Sequence, residues 1–183
     1  DYIDGGSLNE LRQQGLEPVR ALRLCADACR ALDVLHTNDI IHRDVTPSNV
    51  YVCRMGLDYD FVKVLDFGLV ASSDRSIEHT ILSGSALTPG TPAFMAPEII
   101  IGQEVDERAD VYAVGCVAYY LLTGQLVFEG DTAMQVFVQH MQAEPIPPSE
   151  RSELPIPREI DELVMACLAK DPDERIQSAH DVM

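Results

Sequence analysis

Asp44, Asn49 and Asp66 are the residues of this chain whose types and spacing could do chemistry. Asp44 and Asn49 lie in the run His42-Arg43-Asp44-Val45-Thr46-Pro47-Ser48-Asn49. Asp66-Phe67-Gly68 follows it, and Ala96-Pro97-Glu98 comes after that. A positioned carboxylate can take up a proton, and a carboxamide and a second carboxylate offer hard oxygen atoms. Asp66-Phe67-Gly68 on its own would read as a turn after a strand. Its place behind an apolar strand, and behind the Asp44–Asn49 loop, favours the chemical reading.

Elements must hold these residues in place, and the pattern around them is mostly helical. Ser7 can cap a helix that starts at Leu8. From Pro18 to Asn38 the apolar residues Ala21, Leu22, Cys25, Ala28, Cys29, Leu32 and Leu35 recur at helical spacing, with Pro18 suited to the first turn. Asn38-Asp39 should stop that helix, because both side chains tolerate the left-handed conformation. Val50–Cys53 and Val62–Leu65 read as two short strands joined by a turn around Gly56, a single small hairpin. The run from Leu69 to Thr91 is long, polar and without periodicity, as functional loops are. Ala109–Thr123 is apolar nearly all round and should be a buried helix ended by Gly124. A helix over Thr132–Gln142 with Asp131 as its cap, a proline-rich irregular stretch over Glu144–Pro157, and helices over Ile160–Ala169 and from Ser178 complete the pattern.

The chain has 183 residues, 46% apolar and 23% charged, which suits one ordinary globular domain. A formal net charge of −17 argues against a nucleic-acid partner, whose phosphates would be repelled. The five cysteines, Cys25, Cys29, Cys53, Cys116 and Cys167, include no C-x-x-C pair and read as buried thiols of a reducing compartment. The longest apolar run, Val111–Leu122, is too short to span a bilayer.

The motifs together resemble the eukaryotic-type serine/threonine protein kinases, in wording similar to their bacterial branch. The likeness covers the whole chain. Asp1-Tyr2-Ile3 matches the hinge strand, and Gly90 to Glu98 matches the segment that docks the substrate peptide. Asp110-Val111-Tyr112-Ala113-Val114-Gly115 matches the start of the central helix, and Cys167 to Arg175 matches the closing signature. The resemblance implies a kinase C-terminal lobe, mainly α with a small β-hairpin. Residues 1–183 would then be a partial kinase domain, with hinge and C-terminal lobe, and residues 66–98 would be its activation segment. The family's N-terminal lobe carries a glycine-rich loop, a phosphate-binding lysine and its glutamate partner. None has a counterpart here: the only lysines are Lys63 and Lys170. The expectation is a fragment of a larger kinase, inactive alone.

By the same resemblance, ATP and magnesium are the cofactors and serine or threonine hydroxyls of proteins the acceptors. Asp44 would be the base, and Asn49 and Asp66 the metal ligands. Thr91 would hydrogen-bond near Asp44 and shape the site for serine and threonine. Asp1 and Ile3 would meet the adenine, and Tyr51 would form the floor beneath it. His42, Phe67 and Gly68 would be structural. Asp110 would accept N–H groups of the catalytic loop, and Glu98 and Arg175 would form a buried ion pair. Arg43 would receive a phosphate placed on Ser83, Ser85 or Thr88. The kinase domain would be cytoplasmic, with any membrane anchor outside these residues.

One position departs from the family. Thr46 stands where a lysine normally helps to neutralise the transferred phosphate. The base and both metal ligands remain, which favours an active but slower enzyme over the alternative, a pseudokinase scaffold. A small-molecule kinase of the aminoglycoside type would not need the Gly90–Glu98 docking segment. A non-catalytic helical interaction domain would make every motif a coincidence.

Overall fold

The computed structural model describes residues 5–65 and 91–183. Its described residues form seven α-helices, two 3-10 turns and one three-stranded antiparallel sheet. In chain order these are β1 (Gly5–Ser7), α1 (Leu8–Gln13), α2 (Pro18–His36), β2 (Val50–Met55) and β3 (Asp58–Val64). After them come a 3-10 turn (Thr91–Phe94), α3 (Pro97–Ile101), α4 (Arg108–Thr123), α5 (Ala133–Gln142), α6 (Pro148–Arg151), α7 (Arg158–Cys167) and a second 3-10 turn (Pro172–Glu174).

The core is built around α4. Its apolar residues point in every direction, and Tyr112 and Tyr119 are fully buried within it. The long helix α2 lies along α4 and also touches β3, while α7 and α6 close the other side. Gly124 ends α4 with a φ of 76°, a left-handed conformation that glycine adopts without steric cost. Asp39, with a φ of 58°, turns the chain after α2, as expected of an aspartate there. All five cysteines are free and buried. No helix among the described residues is long and apolar enough to cross a membrane.

Most elements match the sequence pattern. Ser7 caps α1 in a full capping box: its hydroxyl accepts from the Glu10 N–H, and the Glu10 carboxylate accepts from the Ser7 N–H. Pro18 opens α2.

Four expectations are corrected. The hairpin is part of a three-stranded sheet, because Gly5–Ser7 pairs with Tyr51–Cys53. Gly-Gly-Ser has low strand propensity and reads as a turn. It becomes a strand because β2 offers it a free edge and because Gly5 has no side chain: a Cβ there would sit 2.2 Å from the Val52 carbonyl oxygen. The cap of α5 is Thr132 rather than Asp131, since the Thr132 hydroxyl accepts from the Gln135 N–H at 3.2 Å. The proline-rich stretch contains the short helix α6, opened by Pro148 at a position where no N–H is needed. The segment 178–183 forms turns rather than a helix. There the Ser178 hydroxyl takes the Asp181 N–H and donates to its carboxylate, a local alternative to helical bonding.

Candidate active site

The loop between α2 and β2 carries Asp44 and Asn49, and its shape is set from below by Asp110 at the start of α4. The Asp110 carboxylate is fully buried. One oxygen accepts the backbone N–H of His42 and the other that of Arg43, both at 2.8 Å. The His36 ring, in the last turn of α2, adds a third contact, Nε2 to Oδ2 at 2.8 Å. A buried carboxylate needs such partners, and here they come from a helix end and from the loop itself. Arg43 takes a φ of 65°, so its N–H and its neighbour's can converge on one side chain.

His42 is fully buried and ties the loop to the sheet. Its Nδ1 accepts the Asp44 N–H at 3.3 Å, which assigns the ring hydrogen to Nε2. Nε2 then donates to the Leu65 carbonyl at 3.0 Å. The Leu65 N–H donates in turn to the Asn49 carbonyl at 2.8 Å. The residue just before Asp66 is therefore held on both its N–H and its C=O by the loop that carries Asp44 and Asn49.

Within the loop, the Asn49 side-chain amide donates to the Asp44 backbone carbonyl and to the Asp44 carboxylate, both at 2.9 Å. Both amide hydrogens are thus committed toward Asp44, which fixes the orientation of the carboxamide and turns its oxygen the other way. Thr46 is buried in the same loop, and its carbonyl accepts the Asn49 N–H at 3.0 Å. Tyr51 is half-buried on β2, between Ser7 of β1 and Lys63 of β3.

Behind the loop, Glu98 and Arg175 form a buried bidentate pair at 2.8 and 3.1 Å. All five guanidinium hydrogens are used: the remaining ones reach the carbonyls of Arg108, Ala169 and Lys170. Glu98 is in the first turn of α3, directly after the 3-10 turn Thr91–Phe94. Helix α5 packs on that turn and on α3. Its His140 shares a 2.8 Å hydrogen bond with the buried Tyr112 hydroxyl. Burial pulls His140 from 6.5 down to about 4, so its ring is neutral at pH 7. The neutral ring contributes stability that is fully present above pH 6.5 and is lost as the pH falls toward 4. Urea unfolding should accordingly show the wild type losing stability relative to His140→Gln over that window; a constant difference would refute it.

The structure brings His42, Asp44, Thr46, Asn49 and Asp110 together, and Glu98 with Arg175. Thr91 is placed by its backbone in the 3-10 turn. Asp1, Ile3, Asp66, Phe67, Gly68, Ser83, Ser85 and Thr88 lie outside the described residues. Among the described residues no cluster of three or more His, Cys, Asp or Glu is placed to hold a metal ion. Sequence reasoning missed His36. Its only signal was a histidine in the last turn of a helix that runs into the loop, which also suits a simple helix-end charge.

A family model described as the protein kinase domain matches residues 1–183, the whole chain. This chain belongs to the protein kinase family. Its relatives include bacterial serine/threonine-protein kinases. The kinase chain is 40% identical to the serine/threonine-protein kinase PknB of Mycobacterium tuberculosis, over 98% of its own length and 28% of that protein. It is 36% identical to the serine/threonine-protein kinase pkn3 of Myxococcus xanthus, over 98% of the chain and 33% of the relative. A probable serine/threonine-protein kinase of Streptomyces coelicolor, SCO3848, is 38% identical over 100% of the chain and 26% of its own length. The chain thus spans about a quarter to a third of the length of these relatives. The crystal structure of Rad53 1-466 in complex with AMP-PNP superposes with a TM-score of 0.76 at 25% identity, covering all of the kinase chain and 44% of Rad53.

Proposed function

We propose that the protein transfers the γ-phosphate of ATP to serine or threonine hydroxyls of protein substrates, with Asp44 as base and Asn49 and Asp66 as magnesium ligands. The observation that carries this reading is the Asn49 carboxamide. Its two hydrogens are spent on Asp44, so its oxygen is left to a hard cation beside the base. A magnesium ion held there would neutralise charge on the phosphates. Asp44, anchored through its own carbonyl and carboxylate, would orient the acceptor hydroxyl and take its proton. His42 and Asp110 would act by holding the loop in shape. Thr91 would border the acceptor, and Tyr51 would lie under an adenine that meets the backbone at Asp1 and Ile3. Nucleotide recognition by Rad53 and the names of the bacterial relatives support the same reading.

The test is transfer of labelled γ-phosphate by the intact protein to a protein substrate, with and without magnesium. Phosphoserine or phosphothreonine that appears only with magnesium is expected. Phosphotyrosine alone, or no product, would overturn the assignment.

The rest of the reading follows from the same site. Arg43 is exposed, and an exposed guanidinium beside the loop suits an incoming phosphate on Ser83, Ser85 or Thr88. Residues 1–183 alone contain no glycine-rich loop and no lysine other than Lys63 and Lys170, so by themselves they would transfer no phosphate. An N-terminal kinase lobe would supply what they lack. The acidic chain fits protein rather than nucleic-acid partners, and a cytoplasmic kinase domain.

Thr46 decides between a slow enzyme and the pseudokinase alternative. It is buried next to Asn49, so a lysine there would run its stem along the loop and place its ammonium near the transferred phosphate. Thr46→Lys should raise kcat by a few-fold, with KM for ATP changing less, because the charge it meets develops in the transition state. Unchanged or lower turnover in steady-state kinetics would show that Thr46 is no catalytic deficit.

A further inference from the structure

His140 is fully buried in the last turn of α5, and the proposed chemistry does not use it. Its ring stands edge-on to Tyr112 of α4, at 5.7 Å between centroids, and to Phe128, at 5.0 Å. Nδ1 shares the 2.8 Å hydrogen bond with the Tyr112 hydroxyl. That hydroxyl also accepts from the Lys170 ammonium at 3.4 Å, and the ammonium lies over the Phe128 ring at 4.3 Å. Helix α5 packs on the 3-10 turn Thr91–Phe94, in which Ala93 is buried.

These partners decide where the ring hydrogen sits. Lysine is a donor only, so the Tyr112 oxygen accepts from Lys170. The Tyr112 hydrogen then needs an acceptor in a place sealed from water, and the neutral ring of His140 offers one at Nδ1. The ring hydrogen is left on Nε2. There it makes no hydrogen bond of ordinary length and angle. The polar group that acts on the ring from the turn is the Ala93 backbone carbonyl, which partly offsets the effect of burial. Among the described residues no backbone N–H donates to that carbonyl. A buried donor and a buried acceptor held apart cost free energy that closing the gap recovers. A peptide laid on the turn can close it, so peptide binding and this hydrogen bond would support each other.

We infer, on the phosphoryl-transfer reading, that His140 is a positioning residue for the protein acceptor: Lys170 and Tyr112 orient its ring, and its Nε2–H holds the Thr91–Phe94 turn through the Ala93 carbonyl. Steady-state kinetics of the intact protein, with myelin basic protein as acceptor, test it in His140→Gln, His140→Phe and Tyr112→Phe. The glutamine amide can place an N–H close to the position of Nε2. The phenylalanine ring keeps the contacts with Tyr112 and Phe128 but makes no hydrogen bond. His140→Phe should therefore raise KM for the acceptor about ten-fold, the worth of one buried hydrogen bond, with a smaller fall in kcat and KM for ATP unchanged. His140→Gln should stay close to the wild type. Tyr112→Phe keeps the core filled and removes the hydroxyl that orients the ring, so it should raise the same KM even if His140→Phe does not fold. Nitrogen-15 spectra give a readout independent of turnover: the His140 hydrogen should sit on Nε2 in the wild type and lose that preference in Tyr112→Phe. Hydrogen on Nδ1 in the wild type, or acceptor KM as good in His140→Phe as in His140→Gln, would overturn the inference with phosphoryl transfer intact. No transfer by the wild type would overturn it together with the functional reading.

Discussion

Asp44→Asn in the intact protein should lower kcat by about 10²–10⁴-fold, the usual contribution of a positioned general base. The asparagine keeps the shape of the side chain, and its oxygen can still accept the Asn49 amide that reaches Asp44 at 2.9 Å. It cannot take the proton of an acceptor hydroxyl. The fold and the KM for ATP should therefore change little, and the loss should appear in turnover. Asp66→Ala should also abolish transfer, by a different route: on the proposed reading it removes an oxygen ligand and so weakens the response to magnesium. Labelled-phosphate transfer, with circular dichroism to confirm folding, separates the two. A folded Asp44→Asn variant that keeps more than a tenth of wild-type turnover would remove Asp44 from the chemistry.

Glu98→Ala should cost about 3–5 kcal/mol of stability, the range for breaking a buried pair by removing one partner. The guanidinium of Arg175 would stay behind, inaccessible to water and left with three carbonyls and the Tyr112 ring. The mirror change, Arg175→Met, strands the Glu98 carboxylate instead and should cost about as much. A double variant, Glu98→Ala with Arg175→Met, leaves no unpaired charge and should recover part of the loss. Urea unfolding of the four proteins measures the coupling. Additive losses in the double variant would show that the pair does not act as a unit. Because Glu98 opens α3 right behind the 3-10 turn Thr91–Phe94, the single variants should also raise KM for the protein substrate.

The parts of this molecule that can be read from sequence are those in which neighbours along the chain determine the outcome. Ser7 as a helix cap, Pro18 at a helix start and Gly124 at a helix end are local devices, and each is where the pattern puts it. The apolar encirclement of α4 likewise needs no partner to be recognised. The strand Gly5–Ser7 is different, since its conformation comes from the edge of β2, far along the chain. His36 escaped for the same reason: its partner Asp110 is on another helix, and a lone histidine does not announce a carboxylate. In the site, the roles of Asp44 and Asn49 were suggested by motif. The direction of the Asn49 amide, which makes the pair chemically specific, is a matter of hydrogen bonds that spacing cannot give.

The Asp110 anchor also has a consequence for biosynthesis. The loop that carries Asp44 is made early, yet the side chain that shapes it belongs to a helix translated much later, and Arg175 later still. A ribosome-bound chain that has exposed the loop but not α4 has no buried carboxylate to gather the His42 and Arg43 amides. Closing so long a stretch costs entropy before any contact repays it, so the catalytic geometry should arise late and in one step. Under the proposed function, a nascent chain of this design would have no shaped Asp44 loop until its core is complete.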